Sequence, residues 1–135
     1  MAEDVPDQTN EFNEHYRIVN HPAMRRVERR VIGCEYGATS YTTRGQAADL
    51  ARRLELEPGK LLLDVGSGAG WPGIYLARST GCRVVLTDVP LEGLRVASRR
   101  LEEDRVSGSV VVASGDVLPL RDGVFDAATS SDVFC

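Results

Sequence analysis

The sequence predicts an α/β fold in which helices flank a parallel sheet. Three observations support this prediction. Short apolar runs alternate with amphipathic helical patterns, as in βαβ units. The first run, Leu61 to Val65, is apolar apart from Asp64, which is typical of a strand covered on both faces. The glycine-rich segment Gly66 to Gly73 follows directly and leads into a helical pattern, and this order is typical of a ligand-binding turn.

Composition narrows the class of protein further. The 135 residues are 42% hydrophobic and 27% charged, as in an ordinary single domain, and the net charge of −4 disfavours nucleic acid or an anionic membrane as a general partner. Three cysteines in no ligand pattern disfavour a disulfide framework or a metal site. The polar N-terminus lacks a leader pattern, and no apolar run approaches the roughly 18 residues of a membrane span. We therefore expect a cytoplasmic protein.

Two short helices are predicted near the N-terminus. Apolar residues recur there at helical spacing. They are Phe12, Tyr16 and Val19 in the first helix and Ala23, Val27 and Val31 in the second. The interruption at 20–22 separates the two helices. The second helix also contains Arg25, Arg26, Arg29 and Arg30. We interpret these arginines as a solvated face, with an anionic partner as the alternative.

A third helix precedes the first strand. Its start matches a capping box at Thr43 and Gln46, and Pro58-Gly59 is predicted to end it. We expect residues 1–45 to form a helical extension or cap, and residues 46–135 to form a cofactor-binding core within one domain.

Further along the chain, strands alternate with helices. Strands are predicted at 61–65, 83–87, 109–113 and 125–130, and helices at 72–79 and 91–104. In the last helix, Leu94, Ala97 and Leu101 are predicted to face inward. A doubly wound sheet would normally continue after the fourth strand. We therefore expect an incomplete domain or a fourth-strand edge that is covered by a second chain.

An aspartate lies at the end of each of the four predicted strands or just past it. The four aspartates are Asp64, Asp88, Asp116 and Asp132. The carboxyl ends of parallel strands share one rim, where open α/β sheets bind ligands. Asp88 lies near the offset of about 20 residues from the glycine turn at which an acid binds ribose hydroxyls.

The glycine turn also bears on which cofactor is bound. Asp64 beside it would repel a pyrophosphate. The glycine spacing of i, i+2, i+4 also differs from the dinucleotide spacing of i, i+2, i+5. The sequence therefore favours a cofactor with a sulfonium and an ammonium over NAD.

The residues of the core resemble the class I S-adenosylmethionine-dependent methyltransferases. LLLDVGSGAG is similar to the first motif of that family, VVLTD to the second, and SGDVLPL with FDAATSSDVF to later ones, together covering about residues 60–134. The resemblance implies a Rossmann-like three-layer sandwich, S-adenosyl-L-methionine as cofactor, and methyl transfer. Complete members have a seven-stranded sheet, so the chain resembles a member truncated after its fourth strand.

The resemblance also implies a cofactor site of ten residues. At the homocysteine end these are Asp64 near the ammonium, the turn residues Gly66, Ser67, Gly68 and Gly70, and the backbone of Ser130. At the nucleoside end these are Asp88 on both ribose hydroxyls, Val89 on adenine, Asp116 accepting the adenine amine, and the N–H of Val117 on a ring nitrogen. Structural alternatives are a ligand-free tight turn, an N-cap role for Asp88 and a turn role for Asp116.

The acceptor side of the reaction is less constrained by the sequence. Methyl transfer from a sulfonium requires chiefly alignment, and a base is needed only if the acceptor must lose a proton. Asp132 is the candidate base by position, and Tyr41 either lines the acceptor pocket or packs as part of a cap. We favour a small-molecule acceptor, with no nucleic acid and no membrane as partner, and expect self-association through the exposed sheet edge. The alternatives are a module that only binds cofactor or a partner, and an NAD-dependent oxidoreductase.

Overall fold

The computed structural model describes residues 8–19, 21–37 and 40–133. These residues form, in order, α1 (Gln8–Ile18), α2 (Pro22–Ile32), α3 (Arg44–Arg53), β1 (Leu61–Val65), α4 (Gly73–Thr80), β2 (Arg83–Asp88), α5 (Leu91–Glu103), β3 (Gly108–Val112) and β4 (Ala127–Thr129). A search of the described residues found no helix with the length and apolar character that a bilayer crossing requires.

The four strands form one parallel sheet in the order β3-β2-β1-β4. β1 lies in its interior, with Leu62 opposite both Val84 of β2 and Ala127 of β4. The chain runs from β1 to β2 and β3 on one side and then returns to β4 on the other. The strand order therefore reverses beside β1, and ligands bind at such a reversal in open sheets. The predicted α/β fold class with a parallel sheet is confirmed.

The core lies where α4 and α5 pack on the sheet. Leu62 and Leu86 from the strands and Ile74 from α4 are fully buried there. On α5, the buried residues include the three predicted to face inward, which are Leu94, Ala97 and Leu101. Burial of these side chains fixes the positions of β1 and β2, whose carboxyl ends shape the site.

Two elements, α3 and β4, are shorter in the structure than the sequence predicts. The capping box of α3 is present, but the helix ends at Arg53 with Leu54 as its C-cap, several residues before Pro58-Gly59. Glu55 then takes a left-handed φ of 51°, which turns the chain away from the helix axis. β4 covers only Ala127–Thr129, within the predicted range of 125–130.

The apolar stripe of α2 does not face the core. Val27 and Val31 are 54% and 63% exposed. Glu28 lies on the part-buried side, where its carboxylate oxygens accept hydrogen bonds from the N–H groups of Tyr36 at 2.8 Å and Gly37 at 2.7 Å. The periodicity predicted the helix correctly, but it did not predict which side of the helix is buried.

Candidate functional site

The glycine-rich turn between β1 and α4 forms the floor of the site. Gly66 and Gly68 have φ values of 70° and 52°, in the left-handed region that favours glycine. A Cβ at Gly66 would overlap the side chain of Val133, and a Cβ at Gly68 would overlap the hydroxyl of Tyr16. The turn therefore needs glycine both for its backbone shape and for the space above it.

Asp64 supports this turn from behind. Its side chain is 1% exposed, and Oδ2 accepts a hydrogen bond from the N–H of Gly73, the first residue of α4, at 3.0 Å. Pro72, the N-cap of α4, makes no side-chain cap, so Asp64 satisfies this helix terminus from the neighbouring strand. Burial raises the pKa of Asp64 to about 8, the hydrogen bond from Gly73 opposes this shift, and the nearby Asp88 adds to it.

Asp88, the last residue of β2, holds the front of the same turn. Its carboxylate accepts hydrogen bonds from the N–H of Gly68 at 2.7 Å and of Val89 at 2.8 Å. Burial raises the pKa of Asp88, and these two hydrogen bonds act in the opposite direction. The N-cap of α5 is Pro90, so the alternative N-cap role for Asp88 is wrong.

Two adjoining cavities open at the carboxyl ends of the strands. The first, of about 330 Å³, lies between the turn, α1 and the segment after β4. The second, of about 320 Å³, lies between the ends of β1 and β2 and the loop after β3. The residues common to both are Gly66, Asp88, Val89 and Val133. An elongated ligand that occupied both cavities would cross the Gly66 peptide and pass beside Asp88.

The charged residues that line these cavities are acidic. Asp88 lines both cavities, Asp132 lines the first and Asp116 lines the second, and no lysine or arginine is among the described residues that line them. The exposed Asp116 accepts a hydrogen bond from the Ser114 hydroxyl, which lowers the pKa of Asp116. Within the described ranges, no group of three or more His, Cys, Asp or Glu side chains is arranged to hold a metal.

The structure brings part of the predicted cofactor site to the cavities. The predicted residues that line them are Gly66, Ser67, Gly68, Asp88, Val89 and Asp116. Those that line neither cavity are Asp64, Gly70, Val117 and Ser130. The N–H of Val117 donates to the carbonyl of Ser114 at 3.1 Å, and the hydroxyl of Ser130 donates to the carbonyl of Val65 at 3.1 Å. The contacts predicted between these ten residues and a cofactor stay predictions.

One part of the sequence argument is wrong in its physical basis. Asp64 was expected to repel a phosphate, but its pKa of about 8 leaves the carboxyl largely protonated at neutral pH, and the side chain is buried behind the turn. The carboxylates that face the cavities are those of Asp88, Asp116 and Asp132. We therefore expect these three residues, and not Asp64, to repel a pyrophosphate.

The sequence did not identify Tyr16 of α1 as part of this site. Tyr16 is 4% exposed, lines the first cavity and packs over Gly68 and Gly93. Asn13 anchors α1 on α5, because its side-chain oxygen accepts a hydrogen bond from the N–H of Glu92 at 3.1 Å. Helical spacing indicated that Tyr16 lies on a buried face, but not which element covers it.

A segment before α3 meets the segment after β4 beside the first cavity. Oδ2 of Asp132 accepts hydrogen bonds from the Ser40 hydroxyl at 2.6 Å and from the N–H of Tyr41 at 2.9 Å. Asp132 has a left-handed φ of 57°, and its side chain crosses to the N-terminal part of the chain. Tyr41 is 84% exposed and lines a third cavity, of about 400 Å³.

Known proteins similar to this chain include methyltransferases. Residues 63–135, more than half of the chain, match the family described as Methyltransferase domain. Methyltransferase GfsG of Streptomyces halstedii is 41% identical over 81 residues, which cover 57% of this chain and 28% of that protein. Ribosomal RNA small subunit methyltransferase C of Actinobacillus succinogenes is 38% identical over 74 residues, which cover 54% of this chain and 22% of that protein. The chain therefore spans less than a third of the length of these relatives.

A solved structure shows the same arrangement of elements. The S-adenosylmethionine-dependent methyltransferase of Thiobacillus denitrificans, in complex with S-adenosyl-L-homocysteine, has a TM-score of 0.58 and 28% sequence identity, over 65% of this chain and 36% of that chain. The parallel sheet, the glycine turn after β1 and the family match agree with one another. This chain belongs to the methyltransferase domain family.

Proposed function

We propose that this chain binds S-adenosylmethionine and takes part in methyl transfer from it. The observation that carries the proposal is the lining of the two adjoining cavities, which holds three carboxylates and, among the described residues, no cationic side chain. Such a lining attracts a sulfonium and an ammonium and repels a pyrophosphate. The match to the methyltransferase domain family supports the same proposal.

The turn also fits the shape and polarity of this cofactor. Gly66 and Gly68 line the first cavity with bare backbone, and the side chains of Val133 and Tyr16 lie where a Cβ at these two positions would stand. Ser67 lines the first cavity, and its hydroxyl is buried without a hydrogen-bond partner among the described residues. A ligand with a polar amino-acid end would satisfy this hydroxyl.

We assign the two ends of the cofactor to the two cavities. The nucleoside occupies the second cavity, where Asp88 accepts hydrogen bonds from the ribose hydroxyls, Val89 packs on the adenine, and Asp116 accepts from its amine. The homocysteine end occupies the first cavity against the turn, with α1 on the other side of the cavity. Asp64 acts on the cofactor through the turn that it supports, because its side chain lines neither cavity.

Methyl transfer itself requires alignment more than acid or base chemistry. The bond between sulfur and the methyl carbon breaks as a lone pair of the acceptor forms the new bond, and the sulfonium becomes a neutral thioether. The protein contributes by holding donor and acceptor in line and by excluding water. Asp132 is the proposed base for an acceptor that must lose a proton.

We further propose that the acceptor is a small molecule and that the protein works in the cytoplasm. The net charge of −4 and the acidic cavity lining offer no attraction to a phosphate backbone. The RNA methyltransferase among the relatives makes nucleic acid the alternative. Fluorescence anisotropy with a labelled RNA hairpin tests this point, and tight, salt-sensitive binding would contradict the small-molecule proposal.

Self-association through β4 is a separate proposal. β4 pairs with β1 on one side, and no described strand pairs with its other side. Unpaired backbone groups at such an edge favour pairing with another strand. We expect light scattering after size exclusion to give a mass that rises with concentration, whereas a constant monomer mass would contradict self-association.

A crystal structure of the chain with S-adenosylhomocysteine tests the cofactor proposal directly. We expect the ribose hydroxyls within hydrogen-bonding distance of the Asp88 carboxylate and the homocysteine end on the Gly66 to Gly68 turn. A ligand bound elsewhere, or an Asp88 that makes no contact with it, would contradict the assignment. Binding without transfer to any acceptor tested would favour the alternative of a module that only binds cofactor.

A further inference from the structure

The third cavity adjoins the proposed cofactor cavity across a single carboxylate. Asp132 lines both the first and the third cavity. Ser40 lines the first and Tyr41 lines the third, and both donate hydrogen bonds to the same oxygen, Oδ2 of Asp132. A molecule in the third cavity would therefore lie next to the donor site, with Asp132 between the two.

The size of the third cavity suits a small ligand. Its volume of about 400 Å³ falls within the range of roughly 300–1,000 Å³ that small-molecule sites occupy. The residues lining it are Tyr41, Thr42, Gln46, Asp49, Leu50, Arg53 and Asp132. It therefore combines an aromatic ring, an apolar side chain and charges of both signs in one space.

Two charged side chains of the third cavity, Arg53 and Asp132, can bind a ligand, and their charges have opposite signs. Arg53 makes no ion pair with any described residue, whereas Asp49 is already paired with Arg52. In the described part of the chain, the hydrogen bonds to Asp132 use only Oδ2, which leaves Oδ1 without a donor. A ligand with one cationic and one anionic group would satisfy both Asp132 and Arg53.

We propose that the third cavity binds the methyl acceptor and that this acceptor is an amino acid or a similarly built amine with a carboxylate. This inference rests on the proposed function, since the first cavity must hold the methyl donor. Arg53 binds the acceptor carboxylate, Oδ1 of Asp132 accepts a hydrogen bond from the acceptor ammonium, and the exposed ring of Tyr41 packs on its side chain.

Asp132 is then the catalytic residue for the acceptor. An ammonium has no lone pair for attack, so one N–H proton first moves to the carboxylate of Asp132. The freed nitrogen lone pair forms the bond to the methyl carbon, while the bond between carbon and sulfur breaks and its electron pair stays on sulfur. The product is a protonated N-methyl amine and a neutral thioether, and Asp132 returns its proton to water.

Calorimetric titration of the twenty amino acids into the chain saturated with S-adenosylhomocysteine tests the proposal. We expect at least one to bind, and its α-hydroxy acid and its methyl ester to bind at least tenfold more weakly. Asp132→Asn, which keeps an oxygen for Ser40 and Tyr41, and Arg53→Gln should each weaken binding at least tenfold. The exposed residues Asp122 and Arg99 provide the matched controls Asp122→Asn and Arg99→Gln, which should bind as the wild type does.

The outcomes separate this inference from the proposed function. If S-adenosylhomocysteine binds but none of the amino acids does, the acceptor proposal is overturned and the cofactor proposal stands. Amino-acid binding that is unchanged in both Asp132→Asn and Arg53→Gln would also overturn the acceptor proposal, because the ligand would then lie elsewhere. Failure of S-adenosylhomocysteine to bind would overturn both.

Discussion

Two pairs of aspartates lie at the carboxyl ends of the strands of this sheet or just past them, and the two pairs are held in different ways. The inner pair is fixed by backbone N–H groups: Asp64 accepts from Gly73 at the start of α4, and Asp88 accepts from Gly68 in the glycine turn and from Val89 before α5. The outer pair is more exposed, with Asp116 bonded to Ser114 in its own loop and Asp132 bonded to Ser40, 92 residues away. Both members of the inner pair shape the turn, and Asp88 also lines both cavities, whereas the outer pair lines the cavities from exposed loops.

The largest effect is expected at Asp64, through the pH dependence of stability. The unfolded carboxyl loses its proton near the ordinary pKa of 3.8, whereas the folded one keeps it up to about 8. The contribution of the protonated Asp64 to the unfolding free energy is therefore fully present below pH 3.8. It decreases as the pH rises towards 8, by at most about 1.4 kcal/mol per pH unit. Asp64→Asn removes this titration. We expect the unfolding free energy of the variant, relative to wild type, to rise between pH 5 and pH 8 in urea titrations.

A relative stability that stays constant across this pH range would show that Asp64 does not hold its proton in the folded state. Asp122→Asn, in an exposed loop, provides the control for the general effect of removing one carboxylate. We expect its stability relative to wild type to be independent of pH between 5 and 8.

The next effect is expected in the turn that the inner pair holds. Gly70 and Gly59 have φ values of 100° and 94°, but a Cβ at Gly70 would overlap Ile74, whereas a Cβ at Gly59 would meet nothing within 4 Å. Gly59→Ala should cost about 1–2 kcal/mol of stability from backbone strain. Gly70→Ala should cost about 1–3 kcal/mol more, because it also overpacks the core. Urea unfolding of both variants measures the difference between the two losses of unfolding free energy. Equal losses would show that the Ile74 side chain moves to accommodate the Cβ.

A smaller effect, on binding instead of folding, is expected at Asp88. Asp88→Ala removes the acceptor for the ribose hydroxyls and should weaken S-adenosylhomocysteine binding by about 1–3 kcal/mol, or about 5- to 150-fold. Calorimetry measures this change, under conditions where urea unfolding shows that the variant is folded. An unchanged dissociation constant would mean that Asp88 serves only the turn.

The smallest effect is expected at Asp116 of the outer pair. Its side chain is exposed and bonded within its own loop, so Asp116→Ala should raise the dissociation constant of S-adenosylhomocysteine less than Asp88→Ala does. The same calorimetric series tests this order. A larger loss at Asp116 than at Asp88 would contradict the distinction between the inner and outer pairs.

The difference between the pairs also explains what could be predicted from the sequence. The β1 strand, the glycine turn and the core face of α5 follow from apolar runs, glycine positions and helical spacing, all of which are local. The packing of Tyr16 over Gly68 and the contact between Ser40 and Asp132 join distant parts of the chain. Periodicity within one segment contains no information about such contacts.

Two errors have the same origin. The interpretation of the α2 arginines as a solvated face left Val27 and Val31 for the buried face, but the valines are exposed, and Glu28 lies on the part-buried side, where it accepts hydrogen bonds from the N–H groups of Tyr36 and Gly37. Asp64 was assigned a charged role by its position after an apolar run, whereas its burial raises its pKa. In both cases the exposure or the protonation of a side chain depends on its tertiary environment and not on the residue type alone.

We propose that the acidic lining of the two adjoining cavities selects a cofactor with an ammonium and no phosphate over a phosphate-bearing one. Parallel calorimetric titrations of the same preparation with S-adenosylhomocysteine, which keeps the ammonium and the nucleoside of the donor, and with NADH test this claim most directly. We expect saturable binding of S-adenosylhomocysteine and none of NADH. Binding of NADH alone would contradict it.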